Sequence, residues 1–307
     1  MTIRSGSRLE VLAHHGVFVV TSEIVPPRSA DPEGVTRQAR DLVGYADAVN
    51  LTDNPTARAH MSAVAGVGIT ADAGIEPVLQ ITGRDRNRLA ITADLLGAWA
   101  LGARNVLCLT GDPPQDGDHP DAAGVYDLST VDIVRLAAGL RSGTMLSGDR
   151  IEDPPSYFIG VADLPLAPDY SFDRLEEKIE AGADFVQTQI VFDADAFGDW
   201  AERARDRGIL ERSFVLAGVA VPRSASAARY LRDHVRGVVV PDAVIGRLED
   251  AGPDAAEEGV RIAVELAARM KTTPGVAGIH VMGLGHTESV RPVVEGAGLL
   301  PRPALAA

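Results

Sequence analysis

Short apolar runs recur along the chain, each closed by polar, Gly-rich or Pro-rich residues and followed by a stretch with helical spacing. The runs are Val17–Val25, Ala46–Leu51, Ile75–Ile81, Val106–Leu109, Tyr157–Ala162, Phe185–Val191, Phe214–Val219 and Gly278–Met282. They are too short for helices and read as strands buried on both faces. Helical spacing is predicted over Pro32–Val43, Thr56–Val67, Thr130–Leu140, Phe172–Ala181, Ala194–Arg207 and Ser224–His234, then over Asp242–Leu248, Ala255–Lys271 and Glu288–Val294. A long amphipathic helix is expected from Thr82 to Leu101, with Leu89, Ala93, Leu96 and Ala100 on one face. Residues 1–15 read as a lead-in or short helix, 115–126 and 142–156 as loops, and 296–307 as a flexible tail.

Strands that alternate with helices demand parallel pairing through right-handed crossovers. Eight such units, with no break in composition between them, predict a single α/β domain over 1–307: a (β/α)8 TIM barrel spanning about 17–294. An open doubly wound sheet would carry a phosphate loop after its first strand, but that segment is SEIVPPRS, without GxGxxG.

Charge narrows the function. The formal net charge of −14 disfavours sequence-blind nucleic-acid binding and anionic membranes. The chain has no apolar run of spanning length, and its start lacks a signal core, so the expected compartment is the cytoplasm. The single cysteine, Cys108, lies inside an apolar run and reads as a core filler. Lys178 and Lys271, the only lysines, fall on predicted helices, so no barrel strand offers a Schiff-base lysine. HxH, HExxH and cysteine clusters are lacking, and no resident metal is expected. Charge and surface are compatible with a monomer or a homo-oligomer.

Barrel chemistry gathers at the C-terminal ends of strands. Those ends carry Glu23, Thr52, Gln80 with Thr82, Gly111 with Asp112, Ala162 with Asp163, Gln189, Gly218, and His280 with Gly283. Amides, hydroxyls and two carboxylates suit a polar heterocycle. Glu23 is flanked by Val19, Val20, Ile24, Val25 and two prolines. It reads either as a carboxyl in apolar walls, able to hold a proton as a general acid, or as a partner of Arg28. Gln187 and Gln189 share one side of their strand, and Gln189 lies nearer the loop. A neutral amide both donates to and accepts from a pterin-like edge, although an internally satisfied glutamine fits equally. Arg84-Asp85-Arg86-Asn87-Arg88 could hold a diphosphate at a helix start, or be a solvated first turn.

SEIVPPR at 22–28, LTDNP at 51–55, QITGRDRNR at 80–88, DLLGAWALGARNVLCLTGDPPQ at 94–115 and EKIEAGADFVQTQIVFD at 177–193 resemble the methylenetetrahydrofolate reductases. The likeness runs from Val17 to Glu288 and is nearest the branch whose reductase module can be fused to a homocysteine methyltransferase. It implies an eight-stranded barrel with FAD at its mouth, reduced by NADH or NADPH, and hydride transfer to 5,10-methylenetetrahydrofolate, a step of one-carbon metabolism. By resemblance, Glu23 is the acid, Asp112 the aspartate facing folate and flavin, and Gln189 a folate-binding glutamine. His286 stands where other members carry a folate-contacting Arg. Thr52 matches a flavin-contacting threonine and Lys178 a lysine on the flavin phosphate side. Gln80, Thr82, Arg84, Thr110 and Gly111, with Tyr126 and Ala162, complete the expected cofactor contacts. The fifth-strand exit GVADLPLAPDY and the loop VAVPRSASA lack aromatics found in the family. That adds a flavin-free variant, passing hydride directly from NADH to folate. Two further readings are a Mg²⁺-dependent lyase built on Glu23, Asp112 and Asp163, and a non-catalytic folate-binding subunit.

Overall fold

The computed structural model describes residues 2–304. Each predicted apolar run forms a strand: β1 (Val19–Ile24), β2 (Ala48–Leu51), β3 (Pro77–Thr82), β4 (Asn105–Leu109), β5 (Phe158–Asp163), β6 (Phe185–Ile190), β7 (Phe214–Ala220) and β8 (Val276–Met282). Every neighbouring pair is parallel, and β1 pairs with both β2 and β8, so the sheet closes into a barrel.

Alternate side chains of each strand face opposite ways. One set (Val20, Ile24, Val49, Leu79, Cys108 and others) packs outward under the helices. The other set fills the barrel floor with Val19, Ala48, Val78, Leu107, Phe158, Phe185 and Leu216. Phe158 and Phe185 stack there with ring centroids 4.9 Å apart. Gly160 leaves room for the Phe185 ring, since a Cβ on it would lie 2.1 Å from Cζ. Residues 1–15, read as a lead-in or short helix, contain the short helix α1 (Arg8–His14), capped by the Ser7 side chain. Leu9 and Leu12 of α1 close the floor from below. Further along the inward set come Glu23, Asn50, Gln80, Leu109, Ala162, Gln187, Gly218 and His280, which line the interior toward the C-terminal mouth.

Helices α2 (Glu33–Leu42), α3 (Ala63–Asp72), α4 (Arg88–Ala100), α5 (Thr130–Arg141), α6 (Phe172–Glu180), α7 (Ala194–Asp206) and α8 (Ala225–His234) follow the first seven strands. α9 (Asp242–Asp250), α10 (Ala255–Thr272) and α11 (Val290–Gly296) complete the outer layer.

Three expectations need correction. The helix predicted at Thr56 starts instead at Ala63, after a 3-10 turn at Pro55–Ala57. Asn54, Thr56 and Ala57 adopt positive φ there, and the amides of Thr56 and Ala59 donate to Asp112 and Asp118. The helix predicted from Thr82 starts at Arg88, because the amides of Gly83 and Arg84 extend the β3–β4 ladder to Leu109 and Thr110 carbonyls. Its buried face is Ile91, Leu95 and Ala98, while Leu89 is 78% exposed. Finally, the tail expected to be flexible packs under the barrel as far as it is described. Arg302 donates to the Asp47 carboxylate and to the Phe18 and Leu299 carbonyls.

Candidate functional site

Closure of β1 on β8 builds the centre of the site. The register pairs Thr21 with His280, so Glu23, one inward step further, reaches over the histidine. His280 is fully buried, and its Nε2 stands 3.8 Å from Glu23 Oε2. Its Nδ1 lies 3.0 Å from Thr21 Oγ1. The Glu23 side chain is 19% exposed, open to the mouth. Neither sequence reading of Glu23 describes this setting. Val20 and Ile24 belong to the outer packing layer, and Arg28 pairs with Asp118 at 2.6 Å. His280 stood among the strand-end residues without a role, because its partner lies 257 positions away in the sequence, beyond any local pattern.

Across the interior, Asn50 Nδ2 donates to Gln187 Oε1 at 3.0 Å, leaving Asn50 Oδ1 without a partner. Gln187 is thus bonded within the barrel interior. Gln189 sits within the irregularity in β6–β7 pairing, which runs from Gln187 to Ile190. Its Oε1 accepts from the Ile190 amide and its Nε2 donates to the Arg236 carbonyl at 3.4 Å.

Asp112, three residues past β4, is exposed at the same C-terminal end of the barrel as Glu23. Its Oδ2 accepts from the Thr56 amide at 2.9 Å, and its carbonyl from Arg84 Nη1 at 3.2 Å. Gly111 turns the chain at φ +89°, where a Cβ would press against Arg84 and Thr82. Thr52 is buried, its hydroxyl 3.4 Å from the Ile24 carbonyl. Thr82 donates twice to Asp53, a buried residue that sequence reasoning passed over. Thr110 bonds Thr130 at 2.8 Å. Gln80 is half-buried on the inward face of β3, and Tyr126 is exposed at φ +43°. His286 lies on the β8 loop, its Nδ1 3.0 Å from Glu288.

The cationic residues expected at a diphosphate are engaged within the protein. Arg84 is buried, and its guanidinium donates twice to Asp85 and once each to the Asn54 and Asp112 carbonyls. Arg86 is held by Asp53 and Asp94, and Arg88 by Asp127, whose carboxyl is pulled down to about 2 by that bond. Lys178 Nζ donates to the Ala162 carbonyl at 2.7 Å. Burial lowers its affinity for a proton, against the pull of Asp163, while burial raises the Asp163 carboxyl above the usual range. In these pairings the set does not fit a flavin diphosphate. Among the described residues, no cluster of three or more His, Cys, Asp or Glu side chains is placed to hold a metal ion, and Glu23, Asp112 and Asp163 do not form one. No helix among them is long and apolar enough to cross a membrane.

A family model described as methylenetetrahydrofolate reductase matches residues 8–298. The chain is 27% identical over 241 residues to methylenetetrahydrofolate reductase 1 of Schizosaccharomyces pombe, covering 76% of this chain and 37% of that protein. It is 25% identical over 236 residues to a probable methylenetetrahydrofolate reductase (NADPH) of Caenorhabditis elegans, covering 74% and 33%. It therefore spans about a third of the length of these curated relatives. Among solved structures, an uncharacterized Clostridium thermocellum protein that binds two copies of 5-methyl-5,6,7,8-tetrahydrofolic acid aligns with a TM-score of 0.63 at 12% identity. That alignment covers 95% of this chain and 100% of the other, and at such identity the likeness is one of fold.

Proposed function

The chain belongs to the methylenetetrahydrofolate reductase family, and from that premise we propose that it reduces 5,10-methylenetetrahydrofolate to 5-methyltetrahydrofolate with a reduced nicotinamide nucleotide as electron source. The observation that carries the reading is Glu23, a carboxyl at the mouth backed by a buried imidazole. Opening the methylene bridge breaks a carbon–nitrogen bond, and the leaving nitrogen needs a proton. Glu23 supplies it. Hydride then adds to the exposed iminium carbon and leaves a methyl group on the other nitrogen. Asp112 and Gln189 would face the folate ring, with the Asp112 charge favouring the iminium cation and the Gln189 amide bonding the pterin edge. His286 would contact the outer part of the folate.

A flavin at the mouth, which the family resemblance implies, would supply two-electron redox chemistry there. Holding its diphosphate would require Arg84 and Lys178 to leave their internal partners. Those pairings favour the direct route, in which Thr52, Gln80, Thr110 and Tyr126 contact the nicotinamide nucleotide rather than a resident cofactor.

The test is nicotinamide oxidation by the purified full chain with methylenetetrahydrofolate, with and without added FAD. Oxidation that requires folate and proceeds without flavin is the expected result. Glu23→Gln should lower it by roughly 10²–10⁴-fold. Failure to oxidise NADH or NADPH under any of these conditions overturns the proposal. An absolute requirement for FAD restores the flavin route.

A further inference from the structure

The Nε2 atom of His280 is buried without a hydrogen-bond partner. Its ring stands between Thr21 and Glu23. The Thr21 hydroxyl lies 3.4 Å from the Ile279 carbonyl as well as 3.0 Å from His280 Nδ1. A hydroxyl carries one proton. When it donates to the carbonyl, its oxygen accepts from Nδ1–H. The bond made at one ring nitrogen sets which nitrogen is protonated.

We propose that Thr21 fixes His280 as the Nδ1–H tautomer, so that Nε2 offers a lone pair to Glu23 and His280 serves as a positioning residue that keeps the acid's proton in place for folate. The part concerning folate rests on the function proposed above; the tautomer does not. Protonated Glu23 donates its O–H to Nε2, the 3.8 Å gap closing as the substrate packs over the mouth. When the carboxyl turns this O–H from Nε2 to the folate nitrogen and gives up the proton, a carboxylate is left facing a lone pair with nothing between them. This favours recovery of a proton from water through the open side of Glu23. Among the described residues His280 is the one ion-pair partner of Glu23 within 4.0 Å. Beside neighbouring β2, Asp47 just before the strand is held by Arg8 and Arg302, and Asp53 just beyond it by Arg86. β7 carries no ionisable residue, and β8 carries none but His280.

Two measurements test this on the full chain. Nitrogen-15 NMR of histidine-labelled protein, with the His280 signals identified by their loss in His280→Gln, should report a protonated Nδ1 and a bare Nε2. A protonated Nε2 in the neutral ring overturns the proposal whether or not the protein turns over folate. In kinetics, Thr21→Val and His280→Leu should lower kcat on the order of tenfold, less than loss of the acid itself. KM should hold, and the alkaline limb of the pH–rate profile should move to lower pH. Thr21→Ser and His280→Gln, which keep a hydroxyl and an acceptor, should recover most of kcat. Folded Thr21→Val protein with wild-type kcat and pH profile would also overturn it. A wild-type chain inert toward folate refutes the proposed function alone, and the tautomer measurement still decides the role of Thr21.

Discussion

Arg86 grips Asp53 with two hydrogen bonds, Nη1 to Oδ2 at 2.7 Å and Nη2 to Oδ1 at 3.0 Å, on a carboxylate only 1% exposed. The same carboxylate accepts from the amide and hydroxyl of Thr82, both at 2.9 Å. The Arg86 Nε continues to Asp94 on α4. One side chain thereby ties together the exits of β2 and β3 and the middle of α4.

Removing the arginine leaves a buried carboxylate without its counter-charge, a change that costs about 3–5 kcal/mol. Arg86→Ala should lose stability of that size in urea unfolding. Arg86→Lys keeps the charge but not the fork, and should fall between. An Arg86→Ala protein as stable as wild type would show that Thr82 alone satisfies Asp53.

Gly111 lies at φ +89°, and a Cβ there would come within 2.9 Å of Arg84 Cβ and 3.1 Å of Thr82 Cβ. Neither contact is the flexible end of a long side chain. Gly111→Ala should therefore cost roughly 1–3 kcal/mol. It should also displace Asp112 and lower folate turnover. Thermal unfolding and kinetics on the same sample check both, and an unchanged melting temperature would contradict the strain.

Asp163 gives a pH signature. Burial raises its carboxyl above the ordinary value of 3.8, with Lys178 opposing. The folded state then binds this proton more tightly than the unfolded chain does. The contribution to stability is full below the unfolded value and is lost as pH rises through the folded one. Asp163→Asn removes that titration. The stability of wild type relative to the variant should therefore decline as pH climbs from about 4 toward neutrality. A difference that grew with pH would mean that the Lys178 interaction outweighs burial.

The eight strands were legible because each is a short apolar run with its own stop signal, a property held within a few residues. Helix α1 was harder to read: two leucines in a polar segment do not announce that they close a barrel floor. The surroundings of Glu23 were misread for a definite reason. Val20 and Ile24 are its neighbours along the chain, but period-two alternation sends them to the outer layer. His280 meets Glu23 only because the last strand pairs with the first. The arginine run after β3 carried a real charge signal, but its acidic partners Asp53, Asp94 and Asp127 come from three different segments.

Asp112 joins the proposed chemistry to a strained loop. Its Oδ2 caps the Thr56 amide within a segment where Asn54, Thr56 and Ala57 all hold positive φ. Non-glycine residues persist in that region only when their surroundings hold them there. The carboxylate thus has two separable duties, and two variants divide them. Asp112→Asn keeps an acceptor oxygen for Thr56 but removes the charge. It should raise the folate KM or lower kcat by about tenfold, with hydrogen exchange at 54–59 unchanged, because one hydrogen bond to a charged group is worth roughly 1.5–3 kcal/mol. Asp112→Ala removes the cap as well, so exchange across 54–59 should quicken in addition to the kinetic loss. If Asp112→Asn already accelerates exchange while turnover stays at the wild-type level, the aspartate is a loop fastener and the negative charge has no part in folate reduction.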